Sequence, residues 1–112
     1  MYSVLPIASD VQRNDIVSFN GSSWARASDS NSMVGAVTGE PFEQDGLRLA
    51  EVTFAGVALV RAARAIDAQG GGLAVENGGA YVGPLAGAGI VAPIAFDQPA
   101  PQVGDLVLIF LR

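Results

Sequence analysis

The 112 residues predict an all-β fold, a small barrel or sandwich with little helix, and three observations carry that expectation. Fourteen glycines and six prolines cut the chain into short apolar runs separated by turn signals. Two Asn-Gly pairs, Asn20-Gly21 and Asn77-Gly78, each lie between such runs, and this dipeptide tolerates the positive φ that a two-residue hairpin turn demands. The third observation is a recurrence: at a constant offset of 57 residues Ile16 falls on Leu73, Asn20-Gly21 on Asn77-Gly78, and Trp24 on Tyr81.

Taken in order, Asp15 to Phe19 and Ser23 to Arg26 form the first predicted hairpin around Asn20-Gly21, and Leu73 to Glu76 and Ala80 to Val82 form the second. The same register continues without a gap, Met33 to Val37 on Ile90 to Ile94 and Leu49 to Phe54 on Leu106 to Leu111. Four elements in one register predict an internal duplication with pseudo-twofold symmetry, its halves about 15–54 and 72–111, within one β domain spanning 1–112. A half of that size buries too little surface alone, so both halves are expected to close over one shared core. Candidate core residues are Ile16, Trp24, Val34, Val37, Val52, Phe54, Val57, Leu59, Leu73, Val75, Tyr81, Ile94, Val107 and Ile109. Val57 to Ile66 is rich in helix formers, yet Val57, Leu59, Arg61 and Ala63 fit a period of two after Gly56, and the segment is read as a strand joining the halves. Leu106 to Leu111 is continuously apolar, which predicts burial on both faces and pairing with the N-terminal strand or another chain. Predicted loops are Ser28 to Ser32, Glu40 to Gly46, Asp67 to Gly72, Pro84 to Gly89 and Asp97 to Val103.

Composition narrows the chemistry. Without cysteine there is no disulfide framework, thiolate metal site or thiol nucleophile, and the redox compartment stays open. Histidine is absent, which removes the usual base of a nucleophilic serine, and lysine is absent, which removes Schiff-base chemistry and the phosphate-cradling Gly-Lys-Ser/Thr loop. Arg13, Arg26, Arg48, Arg61, Arg64 and Arg112 supply all the side-chain positive charge. A net charge of −5 opposes a polyphosphate, so nucleic acid is not an expected partner. Half of the residues are hydrophobic, which argues against disorder, while no apolar run reaches the roughly 20 residues of a membrane-spanning helix. Met1 to Pro6 carries no positive charge and no long apolar stretch, so it reads as folded structure and not as a signal peptide, and no membrane partner is expected.

The residual constellations are carboxylates, glycines and aromatics. Glu40, Glu43 and Asp45 form the densest acidic group, but their spacing matches no calcium loop and a solvated loop explains them. Asp29, Asp45, Glu76 and Asp97 have no spacing that places a glycosidase pair, and Ser28, Ser30 and Ser32 have no base. Gly70-Gly71-Gly72 lacks the lysine and helix of a phosphate loop, and the glycines from Gly83 to Gly89 lack a βαβ context. No catalytic, metal or cofactor residue is therefore assigned, and the chain is expected not to be an enzyme. Trp24 and Tyr81 occupy equivalent repeat positions and are expected in the core. Phe42, an aromatic in a charged loop, is a candidate anchor for a protein partner, with burial over one end of the barrel as the alternative.

The succession Asp15-Ile16-Val17-Ser18-Phe19, Trp24, Met33 to Val37 and Val52 to Val60, closed by Gly104-Asp105-Leu106-Val107-Leu108-Ile109, resembles small β-domain proteins of tailed bacteriophage particles. It is similar to lambda-type head decoration proteins and related head- or tail-fibre domains, a likeness of pattern over most of the chain without a diagnostic motif. The resemblance implies a virion protein on the capsid surface, assembled as a symmetric oligomer, typically a trimer, and fastened between major capsid subunits. Such proteins often begin with a mobile Pro- and Thr-rich arm, and here only residues up to about Asp10 occupy that place. Met1 to Ile7 is expected to add a strand to a neighbouring sheet edge, with Tyr2, Val4 and Leu5, together with Phe42, as the partner-binding residues. On that view residues 1–7 are dispensable for folding. The alternative is a fibre or receptor module that recognises carbohydrate through the loops around Trp24, Phe42 and Tyr81. A small hydrolase dependent on carboxylates is a weaker third.

Overall fold

The computed structural model of the chain describes residues 2–28, 34–65, 73–82 and 102–111. Among the described residues all regular structure is strand: β1 (Tyr2–Pro6), β2 (Ile16–Phe19), β3 (Trp24–Arg26), β4 (Val34–Val37), β5 (Phe42–Gln44), β6 (Leu47–Thr53), β7 (Gly56–Arg61), β8 (Leu73–Glu76), β9 (Gly79–Val82) and β10 (Leu106–Leu111). The fold is all-β and sandwich-like. One sheet runs β1-β6-β4-β2-β3 with β5 beside β6, and two antiparallel ribbons, β7-β10 and β8-β9, accompany it. The large sheet curls until its outer strands touch at a single parallel bridge, Ile7 to Trp24, but no continuous ladder closes it into a barrel.

Two apolar interiors form where one was expected, and β2 and β4 are the wall between them. Because side chains alternate across a strand, Ile16 on β2 and Val34 and Ala36 on β4 face the ribbons, joining Ala58, Val60, Val75, Ala80, Val107, Ile109 and Leu111. Val17 and Val37 face the hollow of the curled sheet with Ile7, Val11, Ala50 and Val52, and Leu5, Trp24 and Phe54 pack half-buried against them. All of β4 is consequently buried. Gly35 is a packing requirement of that wall, since a Cβ there would stand 2.5 Å from Val52 Cγ1 and 2.9 Å from Phe54 Cε1.

The segment after Gly56 is a strand, with its expected faces reversed. Ala58, Val60 and Ala62 point inward, whereas Val57 and Leu59 are 47% and 45% exposed. The small inward residues let β7 approach β2 and β4 closely, so the bulkier set lies outside. Among the described side chains β10 likewise buries Val107, Ile109 and Leu111 on its inner side and leaves Leu106 and Leu108 exposed, and the strand pairs with β7, not with the N-terminal strand. Ile94 lies outside the described residues, as do the side chains of Leu73 and Tyr81.

Pairing repeats in part between the halves. β1 pairs with β6 as β7 pairs with β10, and the Ile7–Trp24 bridge is matched by a parallel bridge from Ala62 to Ala80. The hairpin β2-β3 likewise answers to β8-β9, but their turns differ. Asn77 and Gly78, at φ 49° and 78°, make the expected two-residue turn closed by Glu76 and Gly79. Asn20-Gly21 instead opens a four-residue loop between Phe19 and Trp24, because Asn20 Oδ1 accepts from the Ser22 and Ser23 amides and leads the chain through two more residues. The counterpart of β4, Ile90 to Ile94, lies outside the described residues.

The N-terminal strand corrects another expectation. β1 is paired along its length with β6 of its own chain, and Ile7 is buried, so this segment is not a detached arm awaiting a neighbour. Removing residues 1–7 is expected to cost about 3 kcal/mol or more, from the lost Ile7 and Leu5 packing alone, measured as a fall in the urea midpoint. Gly35→Ala is expected to destabilise by about 1–3 kcal/mol through overpacking, whereas Gly21→Ala, where a Cβ meets nothing within 4 Å, loses only what its φ of 104° imposes.

Candidate functional site

The expected loop from Glu40 to Gly46 is a hairpin. β5 and β6 pair with Phe42 opposite Leu49, Glu43 opposite Arg48 and Gln44 opposite Leu47, around a two-residue turn in which Asp45 and Gly46 take φ 55° and 79°. Since β6 sends Ala50 and Val52 inward, alternation turns Leu47, Leu49 and Glu51 outward. On β1 the register sets Leu5 against Ala50, Val4 against Glu51 and Pro6 against Leu49. One outer face therefore carries Val4, Pro6, Leu49, Phe42 and Leu47, with Val4, Phe42 and Leu47 at 51%, 43% and 53% exposure.

The structure thus brings Val4 and Phe42, two of the four expected partner-binding residues, to one surface. Leu5 is not on it: it packs against the inner cluster. Tyr2 pairs with Thr53 in the backbone register, and its side chain lies outside the described structure. Leu47 and Leu49 were missed, although Asp45-Gly46 between apolar residues is itself a hairpin signal.

Trp24 and Phe42 do not share one recognition surface, and the side chain of Tyr81 lies outside the described structure. Trp24 packs inward, its ring centroid 5.6 Å from Phe19 and 5.1 Å edge-on from Phe54, while Phe42 faces out on β5. Tyr81 belongs to β9 in a separate ribbon. The acidic group is dispersed as well: Glu43 lies across from Arg48, Glu40 lies 3.9 Å from Arg13, and Asp45 is in the turn. Among the described residues no three carboxylates converge as metal ligands would.

The densest polar arrangement surrounds Asp15, which is 1% exposed. Its Oδ2 accepts the Gln12 amide at 2.9 Å and lies 3.7 Å from Arg26 Nε, and its Oδ1 accepts from Arg61. Arg26 also donates to the Asn77 carbonyl at 2.8 Å, so this carboxylate ties β2, β3 and β7 to the turn of the β8-β9 hairpin. The turn is held further by Ile16 N to Gly78 O and Gly78 N to Ala27 O, each 2.8 Å. With both oxygens engaged by donors, Asp15 is a structural clamp.

Two open cavities flank the clamp on either side of Arg61. One, of about 320 Å³, lies over the Asn77-Gly78 turn beside Arg26 and Ala63. The other, of about 470 Å³, is lined by Gln12, Arg13, Asn14, Glu40, Pro41, Arg48 and Arg61, so half of the chain's arginines meet in a chain of net charge −5. Arg48 donates to the Val11 carbonyl at 2.8 Å, but its Nε is buried without a hydrogen-bond partner.

On the wall of the smaller cavity, Arg64 grips Glu76 bidentately, Nε to Oε2 at 2.8 Å and NH2 to Oε1 at 2.6 Å. That hydrogen bonding, aided by the guanidinium charge and opposed by desolvation, holds the Glu76 carboxyl below its usual value. A depressed folded-state value means that the pair stabilises the fold above the ordinary glutamate range and loses its contribution as pH falls through the lowered value. The Glu76 carboxyl resonance is expected to titrate below that of an unpaired glutamate, and Arg64→Gln is expected to return it to the ordinary range. Gly78→Ala is expected to detach the β8-β9 turn, because its φ is 78° and a Cβ would stand 2.8 Å from Arg26 Nε; loss of amide protection at Ile16 would report it.

Comparison with protein families, with curated proteins and with solved structures returned no match for this chain.

Proposed function

We propose that this chain is a non-enzymatic structural domain that cements a protein shell, as a capsid decoration protein of a tailed bacteriophage does, binding between major capsid subunits as a symmetric oligomer, a trimer on the decoration pattern. The observation that carries this reading is a pair of exposed apolar faces on a small acidic domain. The first is the Val4, Phe42, Leu47 and Leu49 face of β1, β5 and β6. The second is the outer side of β7 and β10, where Leu59 lies opposite Leu108 and Val57 and Leu106 are also exposed. Clustered exposed apolar side chains mark association surfaces, and a cementing subunit needs two, one for its own copies and one for the shell. A composition without histidine, lysine or cysteine agrees with a role in which surface and rigidity carry the function. The first face binds the shell, because it includes Val4 and Phe42, and the second joins the copies.

Purified particles should contain the chain at a fixed ratio to the shell protein. Phe42→Lys and Val4→Lys, the latter opposite Glu51 in the ladder, are expected to weaken re-addition to depleted shells by about tenfold or more, the loss of a hot-spot side chain, with stability changed by no more than about 1 kcal/mol. Leu59→Glu is expected to dissociate the oligomer in sedimentation velocity without loss of β-sheet circular dichroism. Absence from particles, or saturable binding of the isolated chain on a glycan array, would overturn the proposal in favour of a recognition module.

A further inference from the structure

We infer that the cleft between the Val11–Asn14 segment, Glu40-Pro41, Arg48 and Arg61 binds a carboxylate group of an acidic ligand. The inference stands on the cleft and does not depend on the shell-binding reading. Its starting point is Arg48. Burying a donor without a partner is costly, and such groups in native proteins are ordinarily met by a ligand, an ion or a water. Arg48 Nε is in that condition, and Arg48 joins none of the ion pairs among the described residues although Glu43 faces it across the β5-β6 ladder.

Three arginines line this opening of about 470 Å³, and their states differ. Arg61 is neutralised by buried Asp15. Among the described residues Arg13 pairs with Glu40, at 3.9 Å and with both side chains more than half exposed, a contact of little strength in water. Arg48 pairs with no carboxylate among the described residues. The cleft thus offers two guanidinium charges less one Glu40 charge, which suits a monoanion better than a phosphate dianion. A guanidinium presents N–H donors in one plane, the geometry that a planar carboxylate accepts in pairs. Gln12 and Asn14 add polar lining, and the Asn14 amide is already fixed to the Leu59 carbonyl at 3.0 Å, so this wall is formed before any ligand arrives.

The test is a titration of the full chain, labelled at arginine nitrogen, with sodium acetate against sodium chloride at equal ionic strength. Acetate is expected to shift the Arg48 Nε resonance saturably, and chloride is not. N-acetyl-glutamate N-methylamide should reproduce the shift and its glutamine analogue should not. Tighter binding of the blocked glutamate than of acetate assigns the site to an acidic side chain of a peptide, and tighter binding of acetate assigns it to a free small acid. Arg13→Gln is expected to weaken binding about threefold or more and Glu40→Gln to tighten it, both being exposed positions where the fold tolerates change. Arg48→Lys, which keeps the charge and loses the planar donor pair, is expected to abolish the saturable acetate shift read at the Arg13 and Arg61 Nε resonances, which line the same cleft and remain in the variant. Should that variant fail to fold, the Arg13 and Glu40 variants decide. Equal shifts with chloride, tighter binding of phosphate than acetate, or affinity unchanged in Arg13→Gln and Glu40→Gln would each overturn the inference.

Discussion

Asp15 stands at the start of β2 with its carboxylate taken out of water, and three parts of the chain converge on it: the Gln12 amide, Arg26 of β3 and Arg61 of β7. A lone buried carboxylate is costly by several kcal/mol, so these donors are conditions for burying it. The two arginines are about a third exposed, which lets their charges keep part of their hydration while the carboxylate keeps none. The consequence is geometric. β3 belongs to the curled sheet, β7 to a ribbon, and Arg26 reaches on to the Asn77 carbonyl of the second ribbon, so a single anion fixes how the layers sit on each other.

That clamp explains why two apolar interiors can exist in so short a chain. The wall of β2 and β4 has apolar side chains on both faces, an arrangement that hydrophobic burial alone stabilises but does not orient. Small residues supply close approach, with Ala36, Ala58, Ala62 and Ala80 on the ribbon side and Gly35 under Val52 and Phe54 on the other. Larger apolar residues are then left for the outside, where Val57, Leu59, Leu106 and Leu108 on one face and Val4, Phe42 and Leu47 on another are not required for the interior. The packing of the core and the supply of surfaces for association are in this sense one property of the sequence.

Much of the architecture was legible in the residues, for reasons that also mark where reading stopped. Glycine punctuation and period-two runs located nearly every described strand, including the ambiguous stretch after Gly56, because backbone preferences act locally. The phase of that strand was not legible: Val57 and Leu59 are larger than Ala58 and Ala62, and only the closeness of the β2-β4 wall makes the small set the inner one. The Asn20-Gly21 turn was misread because Asn20 Oδ1 found two amides within its own loop. A second repeat also went unread. Gln12-Arg13-Asn14-Asp15 and Gln102-Val103-Gly104-Asp105 make the same turn, each with the aspartate accepting the glutamine amide at 2.9 Å and the third residue at positive φ, 74° and 89°. Of the candidate surfaces, Val4 and Phe42 were readable as exposed apolar residues, whereas the arginine cleft joins positions 13, 48 and 61 and needs the fold to exist at all.

Native-state hydrogen exchange on Asp15→Asn addresses the role of the buried carboxylate most directly. The amides of Ile16, Gly78 and Arg61, which donate to Gly78 O, Ala27 O and Asn14 O, join the layers, while Thr38 N to Glu51 O lies within the curled sheet alone. If Asp15 sets how the layers sit, the first three lose about tenfold or more of their protection together, an opening free energy lowered by about 1.4 kcal/mol or more, and Thr38 keeps its protection relative to them. A uniform loss at all four, or none at any, would contradict the account.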